Sequence, residues 1–251
     1  MDAANVLDLI KQTKSMFYST DYEVREKGKF DYVTQVDVQV QEFMKSGLAA
    51  LHPEIEFLAE EQDNSNLDTS KPMWILDPVD GTTNLMHNFR FSAVSLALLA
   101  DGEIIFGAVY NPYADELFCA QKGGGAYLNG NPIHVTGADS IAKSLVAFGT
   151  SPYEKRDSYA DFELYHRVFT QCHDIRRTGC AALDICYVAS GRLDAFFEKS
   201  LKPWDYSAGA IVLSEAGGRI TDWGGAALDF KSKSSILATN GLLHEWFLGI
   251  L

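Results

Sequence analysis

The stretch WILDPVDGTTN, residues 74–84, decides how this chain is read. Trp74, Ile75 and Leu76 form an apolar run of the kind that makes a buried strand. The run delivers Asp77 and Asp80 to one place, with Pro78 fixing the backbone between them. Gly81, Thr82 and Thr83 follow, offering backbone N–H groups and hydroxyls. Two carboxylates held this close repel unless a cation sits between them. Carboxylates beside a Gly-Thr turn can hold Mg²⁺ next to a phosphate, so the stretch reads as metal-assisted phosphoryl chemistry. Asp-Pro-x-Asp-Gly is also sound turn chemistry. A turn alone requires neither the second acid nor the Thr-Thr-Asn that follows it.

Upstream, IEFLAEE (55–61) reads as a short strand ending in Glu60 and Glu61, and QDNSNLDTSKP as a polar loop. Thr34 is placed to cap a helix over 34–51 with Val36, Val40, Phe43 and Leu48 on its apolar side. Asp37 lies in the first turn of that helix. Val6, Leu9, Ile10, Thr13, Met16 and Phe17 fit one face of an N-terminal amphipathic helix.

Downstream, FSAVSLALLA and EIIFGAVYN read as strands joined by an Asp101-Gly102 turn, and ELFCAQ and AYLN continue the meander to Asn129-Gly130. Lys122-Gly123-Gly124-Gly125 lacks the spacing and following helix of a phosphate loop and reads as hairpin glycine. Past a weak boundary at 137–144, SLVAFGT and LDAFFE read as strands and SYADFELYHRVFTQC as a helix. CAALDICYVASG reads as a helix closed by Gly191, and WDYSAGAIVLSEAGG as one with Asp205 at its N-cap and Gly217-Gly218 at its end. The expected class is α+β in two halves. Residues 1–140 carry the acidic motif and an antiparallel sheet, and residues 141–251 carry the Trp-Asp helix.

A net charge of −13 over 251 residues disfavours sequence-independent binding to nucleic acid or an anionic membrane. It does not exclude a phosphorylated substrate, because bound cations reverse the sign locally. No apolar stretch reaches membrane-spanning length, and the N-terminus lacks a secretory pattern. Cys119, Cys172, Cys180 and Cys186 have no metal-ligand spacing and read as free thiols in a reducing cytoplasm. The candidate ligands are all oxygen donors: Glu60 and Glu61, Asp77 and Asp80, Asp205, and Asp37. An all-oxygen set favours Mg²⁺ or Mn²⁺ over zinc.

DYVTQVD, LAEE, WILDPVDGTTN, GGGAYLNG, RRTGCAALDICYVASGRLDAFFE and KPWDYSAGAIVLSEAGG occur in that order along almost the whole chain. On these pieces the chain resembles the inositol monophosphatase family, Mg²⁺-dependent and lithium-sensitive phosphatases related to fructose-1,6-bisphosphatase. The RRTG-to-DAFFE segment resembles the bacterial branch. The resemblance implies a layered α/β/α/β/α fold, a homodimer, and two or three Mg²⁺ ions. It implies metal binding by Glu60, Asp77, the Val79 carbonyl, Asp80 and Asp205. It implies phosphate held by Gly81 and Thr82, and an attacking water positioned by Glu60, Thr82 and Asp37. Glu198 matches a contact to a substrate hydroxyl, and Thr150 and Ala181 fall where relatives touch the sugar or cyclitol ring.

The implied substrate is a small phosphorylated polyol or sugar, inositol-1-phosphate foremost. Fructose-1,6-bisphosphate, 3′-phosphoadenosine 5′-phosphate and a regulatory binding role stand as alternatives. Within GTSPYEKRD (149–157), Lys155 and Arg156 are basic, as are Arg176 and Arg177 farther on. They read as surface or dimer-interface residues, or as the holders of a second phosphate. The segment around Lys27, Gly28 and Lys29 reads as a loop that carries another metal or forms a lid.

Overall fold

Alternation of apolar side chains along the central strands drives the chain into layers, and the layers position the acids. The computed structural model describes residues 3–19, 22–65, 67–68, 70–152 and 155–251. The chain opens with α1 (Ala3–Gln12) and a 3-10 turn (Thr13–Tyr18). Val6, Ile10, Thr13 and Phe17 are buried, with Leu9 and Met16 half-buried beside them, as the one-face spacing predicts. A hairpin of β1 (Val24–Gly28) and β2 (Asp31–Thr34) follows, where the sequence reading placed a loop. All of β1 is exposed, so it carries no apolar alternation to betray it. Thr34 then caps α2 (Gln35–Leu51) as expected, accepting from the N–H groups of Val36 (3.1 Å) and Asp37 (3.4 Å).

The larger sheet contains β3 (Glu56–Ala59), β4 (Met73–Asp80), β5 (Ala93–Ala100), β6 (Glu103–Asn111), β7 (Glu116–Gln121), β8 (Ala126–Leu128) and β9 (Asn131–Pro132), in that spatial order. Only the β3–β4 pair in it is parallel. The short helix α3 (Thr82–Met86) leaves the end of β4. Next come β10 (Leu145–Phe148), α4 (Ser158–Phe169), β11 (Asp174–Arg176), α5 (Ala181–Ala189), β12 (Ala195–Leu201), α6 (Pro203–Glu215), β13 (Arg219–Thr221), β14 (Ser234–Thr239) and α7 (His244–Leu248). The smaller sheet runs β11-β10-β12-β14-β13. Both expected tight turns form: Asp101 and Gly102, then Asn129 and Gly130, take the left-handed conformations of primed hairpin turns. Gly123 and Gly125 lie in the β7–β8 turn, where their N–H groups donate to Glu215 (2.7 and 2.9 Å).

Along β4, Met73 and Ile75 enter a core shared with α5 and α6, while Trp74 and Leu76 enter a second core with α1 and α2. A third core packs β10, β12 and β14 against α4 and α7. The result is the α/β/α/β/α layering of an α+β fold. Each large side chain buried in these layers contributes about 1.5–3 kcal/mol. The α6 helix sits very close to the larger sheet, because a Cβ on Gly107 of β6 would lie 3.0 Å from the Ala208 Cα. That approach brings the start of α6 down to the end of β4.

Candidate active site

Asp77 and Asp80 lie at the end of β4, where the sequence reading placed them, and both stay within the strand. The register with β5 breaks between them, where Pro78 lacks an N–H for the ladder. The chain turns only at Gly81, whose φ of 88° and near contact with the carbonyls of Gly179 and Phe91 leave no room for a side chain. Thr82 is the first residue of α3, so its N–H is one of the donors the helix cannot satisfy itself.

Asp205 is the third residue of α6 rather than its N-cap, which is Lys202. Pro203 occupies the first position, where its missing N–H costs nothing, and the Asp205 carboxylate accepts from the Lys202 N–H at 2.7 Å. Ser95, opposite Asp77 on β5, donates to the Trp204 carbonyl at 2.9 Å. That bond sets Asp205 against Asp77. Glu60 and Glu61 follow β3, and Gln41 of α2 clamps the Glu61 backbone through both its N–H (3.0 Å) and its carbonyl (2.9 Å).

Glu60, Asp77, Asp80 and Asp205 line one cavity of about 680 Å³ together with Val79, Gly81, Thr82, Ala181 and Glu198. Asp37 lies just behind the wall, fully buried, and is reached through the Thr82 hydroxyl at 3.1 Å. Thr150 is not on the wall; its hydroxyl accepts from Arg177 at 2.9 Å. Within 149–157, Tyr153 and Glu154 lie outside the described residues.

The electrostatics are those of crowded acids. Burial pushes Asp77 well above the usual carboxylate range, and Glu60, Asp80, Asp205 and Asp37 add to the effect. Asp205 is raised in the same way, by burial and then by Asp80 and Glu60. Burial lifts Asp80 to about 6 against the N–H of Ala182 and the thiol of Cys180. Asp37 is also pushed up to about 6, by burial, although Thr34 and Thr82 both donate to it. Glu60 reaches about 7 through desolvation, opposed by Lys27. Among the described residues, no three His, Cys, Asp or Glu side chains are drawn together as a closed ligand set. The four acids line one cavity, and those beside Asp77 and Asp205 raise their proton affinity further. All-oxygen donors with that much uncompensated charge fit a hard divalent cation.

Several residues that the motifs did not single out share the cavity. Lys27, on the β1–β2 hairpin, pairs with Glu61 (2.5 Å) and Glu60 (3.3 Å). Arg177 points into the cavity, whereas Arg176 turns away to pair with Asp174. Ser151 donates its N–H to Glu198 at 2.9 Å, and burial lifts that carboxyl to about 7. Asp184, one turn into α5, is buried on the same wall, and burial raises it well above its ordinary range. A polar residue among apolar ones in CAALDICYVA was the available signal for Asp184.

The family model described as the inositol monophosphatase family matches residues 2–251. An inositol-1-monophosphatase of Mesorhizobium japonicum is 37% identical over 227 residues, covering 90% of this chain and 85% of that protein. The crystal structure of extragenic suppressor protein suhB from Bartonella henselae superposes with a TM-score of 0.93 at 32% identity, covering 100% of this chain and 98% of that one. An IMPase/NADP phosphatase crystallised with Mg²⁺ and phosphate gives 0.88 at 26% identity, covering 99% and 93%. With its motifs in order, its layers matched and its acids gathered at the end of β4, the chain belongs to the inositol monophosphatase family.

Proposed function

We propose that the protein hydrolyses a phosphate monoester, inositol-1-phosphate to myo-inositol and phosphate, with Mg²⁺ at the four-acid cavity. The observation that carries the reading is the Thr82 hydroxyl, set between that cavity and the buried Asp37. Bound Mg²⁺ supplies an acidified water and charge neutralisation at the phosphoryl group.

The chain's own residues do the rest. Thr82 Oγ1 has one proton and two acceptors at 3.1 Å, Asp37 Oδ1 and the Val79 carbonyl. Donation to Asp37 leaves the Thr82 lone pairs free to accept a hydrogen bond from a water in the cavity and so orient it. Glu60, at the cavity edge, orients the same water as general base. Gly81 and Thr82 present N–H groups to the phosphoryl oxygens. Glu198, fixed by Ser151, accepts from a hydroxyl of the polyol, and Ala181 lies against its ring.

Two or three Mg²⁺ ions, replaceable by Mn²⁺, agree with the charge of the donor set. A homodimer is supported by the exposed aromatic face of α4, where Tyr159, Phe162 and Phe169 are all open. The four unpaired cysteines suit a reducing cytoplasm. No helix among the described residues is long and apolar enough to cross a membrane.

A specific observation favours a second reading within the same chemistry. Arg177, Lys202 and Lys233 line the cavity and suit a second phosphate. Phosphate release from inositol-1-phosphate, fructose-1,6-bisphosphate and 3′-phosphoadenosine 5′-phosphate, compared at equal concentration with Mg²⁺, separates the two. Preference for inositol-1-phosphate supports the monoester reading; preference for a bisphosphate assigns the basic residues to a second anion.

A further inference from the structure

Three pieces of chain that are far apart in sequence meet behind the cavity wall. Gly81 opens α3, Phe91 and Ser92 lead into β5, and Thr178 and Gly179 lead into α5. A Cβ placed on Gly81 would lie 3.1 Å from both the Gly179 and the Phe91 carbonyl oxygens, so the three backbones pass close together. The Ser92 hydroxyl closes one side of this junction by donating to the Gly81 carbonyl at 2.9 Å.

Asn84 closes the other side. It lies within α3 and is 8% exposed. Its Nδ2 donates to the Phe91 carbonyl at 2.7 Å and to the Thr178 carbonyl, 94 residues away, at 2.9 Å. Both partners can only accept, so the amide presents its NH₂ to them and spends both N–H groups there.

The Thr178 carbonyl belongs to the entry of α5. Gly179 takes a φ of 86° to make that turn, and a Cβ there would lie 3.3 Å from the Asn84 amide. Cys180 and Ala181 then line the cavity, and the Ala182 N–H donates to Asp80 Oδ2 at 2.6 Å. The Cys180 thiol donates to the same oxygen at 3.1 Å. The start of α5 therefore orients Asp80, and Asn84 ties down the start of α5. Asn84 itself is not on the cavity wall, so any effect it has on the reaction passes through these bonds.

We infer that Asn84 is a positioning residue: through the Thr178 carbonyl it seats the start of α5 against Gly81, orienting Asp80 for Mg²⁺ and setting Ala181 at the substrate ring. The substrate half rests on the phosphatase reading; the placement of Asp80 stands without it. Loss of an outer bond that orients a metal ligand typically weakens metal binding by about 10–100-fold.

Asn84→Ala removes both donors, and Asn84→Leu removes them at nearly the same volume. Asn240→Ala is the control, because Asn240 is also buried and its amide donates to the Thr136 hydroxyl (3.0 Å) and the Ala138 carbonyl (2.8 Å), away from the cavity wall. Hydrogen–deuterium exchange of the Mg²⁺-free protein should speed up over residues 178–182 in both Asn84 variants and not in the control. Titration calorimetry should show Mg²⁺ binding weakened by about 10–100-fold in the Asn84 variants and unchanged in the control, although the melting temperature falls in all three. With inositol-1-phosphate at saturating Mg²⁺, the Asn84 variants should raise KM more than they lower kcat. A merely structural role lowers the melting temperature of the Asn84 variants and leaves exchange over 178–182 and Mg²⁺ affinity as in the control; that result overturns the inference. So does an unaltered protein that binds no Mg²⁺. An unaltered protein that binds Mg²⁺ but releases no phosphate sinks the phosphatase reading alone, because exchange and calorimetry still decide the role of Asn84.

Discussion

The hydroxyl of Thr82, at the start of α3, donates to Asp37 at the start of α2, across 45 residues of chain and a distance of 3.1 Å. Asp37 is in turn the capping-box partner of Thr34, accepting its N–H at 2.9 Å. One carboxylate therefore closes a helix end with one oxygen and orients a cavity hydroxyl with the other. Its position as a helix cap makes it rigid, and rigidity is what a positioning group needs.

Replacing Thr82 with Ala removes the hydroxyl while leaving the four acids in place. Turnover should fall by about 10²-fold or more, the usual worth of a proton-transfer or water-orienting group. Mg²⁺ affinity measured by titration calorimetry should change little. A variant that keeps full turnover shows that the hydroxyl does not position the water.

Much of this arrangement is legible in the chain because each acid sits next to something that ends an element. Thr34 announces α2 and with it Asp37; Gly81 announces the end of β4 and with it Asp80. What stays hidden has physical reasons. The β1–β2 hairpin is exposed and shows no apolar period, so Lys27 reads as loop although it reaches Glu60 and Glu61. Asp205 suits an N-cap by residue type, but Pro203 fixes the helix start two residues earlier. Arg176 and Arg177 look alike in sequence, and only the chain direction leaving β11 sends one to Asp174 and the other into the cavity. The strands and helix after Gly218 carry no motif, so β13, β14 and α7 appear only in the structure.

The crowding of the acids predicts a conflict between stability and function. Asp77 is 2% exposed and repelled by four carboxylates. Asp77→Asn should raise the melting temperature of the Mg²⁺-free protein, by on the order of 1–2 kcal/mol in stability. It should also abolish turnover and the rise in melting temperature that Mg²⁺ gives the unaltered protein. Scanning calorimetry with and without Mg²⁺ checks both halves; a destabilised variant contradicts the electrostatic account.

Glu198 gives a pH dependence of definite sign. Its carboxyl is raised from 4.5 to about 7 by burial, so the folded chain binds its proton more tightly than the unfolded chain. The stability it contributes is fully present below about pH 4.5 and is lost as pH rises through 7. Across that window the loss is on the order of 3 kcal/mol. Denaturant unfolding of the Mg²⁺-free protein should show this slope, and Glu198→Gln should flatten it. An unchanged slope in the variant shows that Glu198 titrates normally.

Gly149 sits against the same carboxyl. A Cβ placed there would overlap the Glu198 carboxyl group. Gly149→Ala should therefore push Glu198 off Ser151, destabilise the fold by about 1–3 kcal/mol and raise KM for a polyol phosphate more than it lowers kcat. Steady-state kinetics with inositol-1-phosphate and with a hydroxyl-poor aryl phosphate separate the two effects: only the former should show a raised KM.

The central claim is that the carboxylates at the end of β4 hold the cation that drives phosphate release. Its most direct test is phosphate release from inositol-1-phosphate by the unaltered protein and by Asp80→Asn, each across a Mg²⁺ titration from chelator to excess. The account predicts release by the unaltered protein that rises with Mg²⁺ and vanishes with chelator, and none from Asp80→Asn at any Mg²⁺ concentration. Release that persists in chelator, or an Asp80→Asn protein as active as the unaltered one, would contradict it.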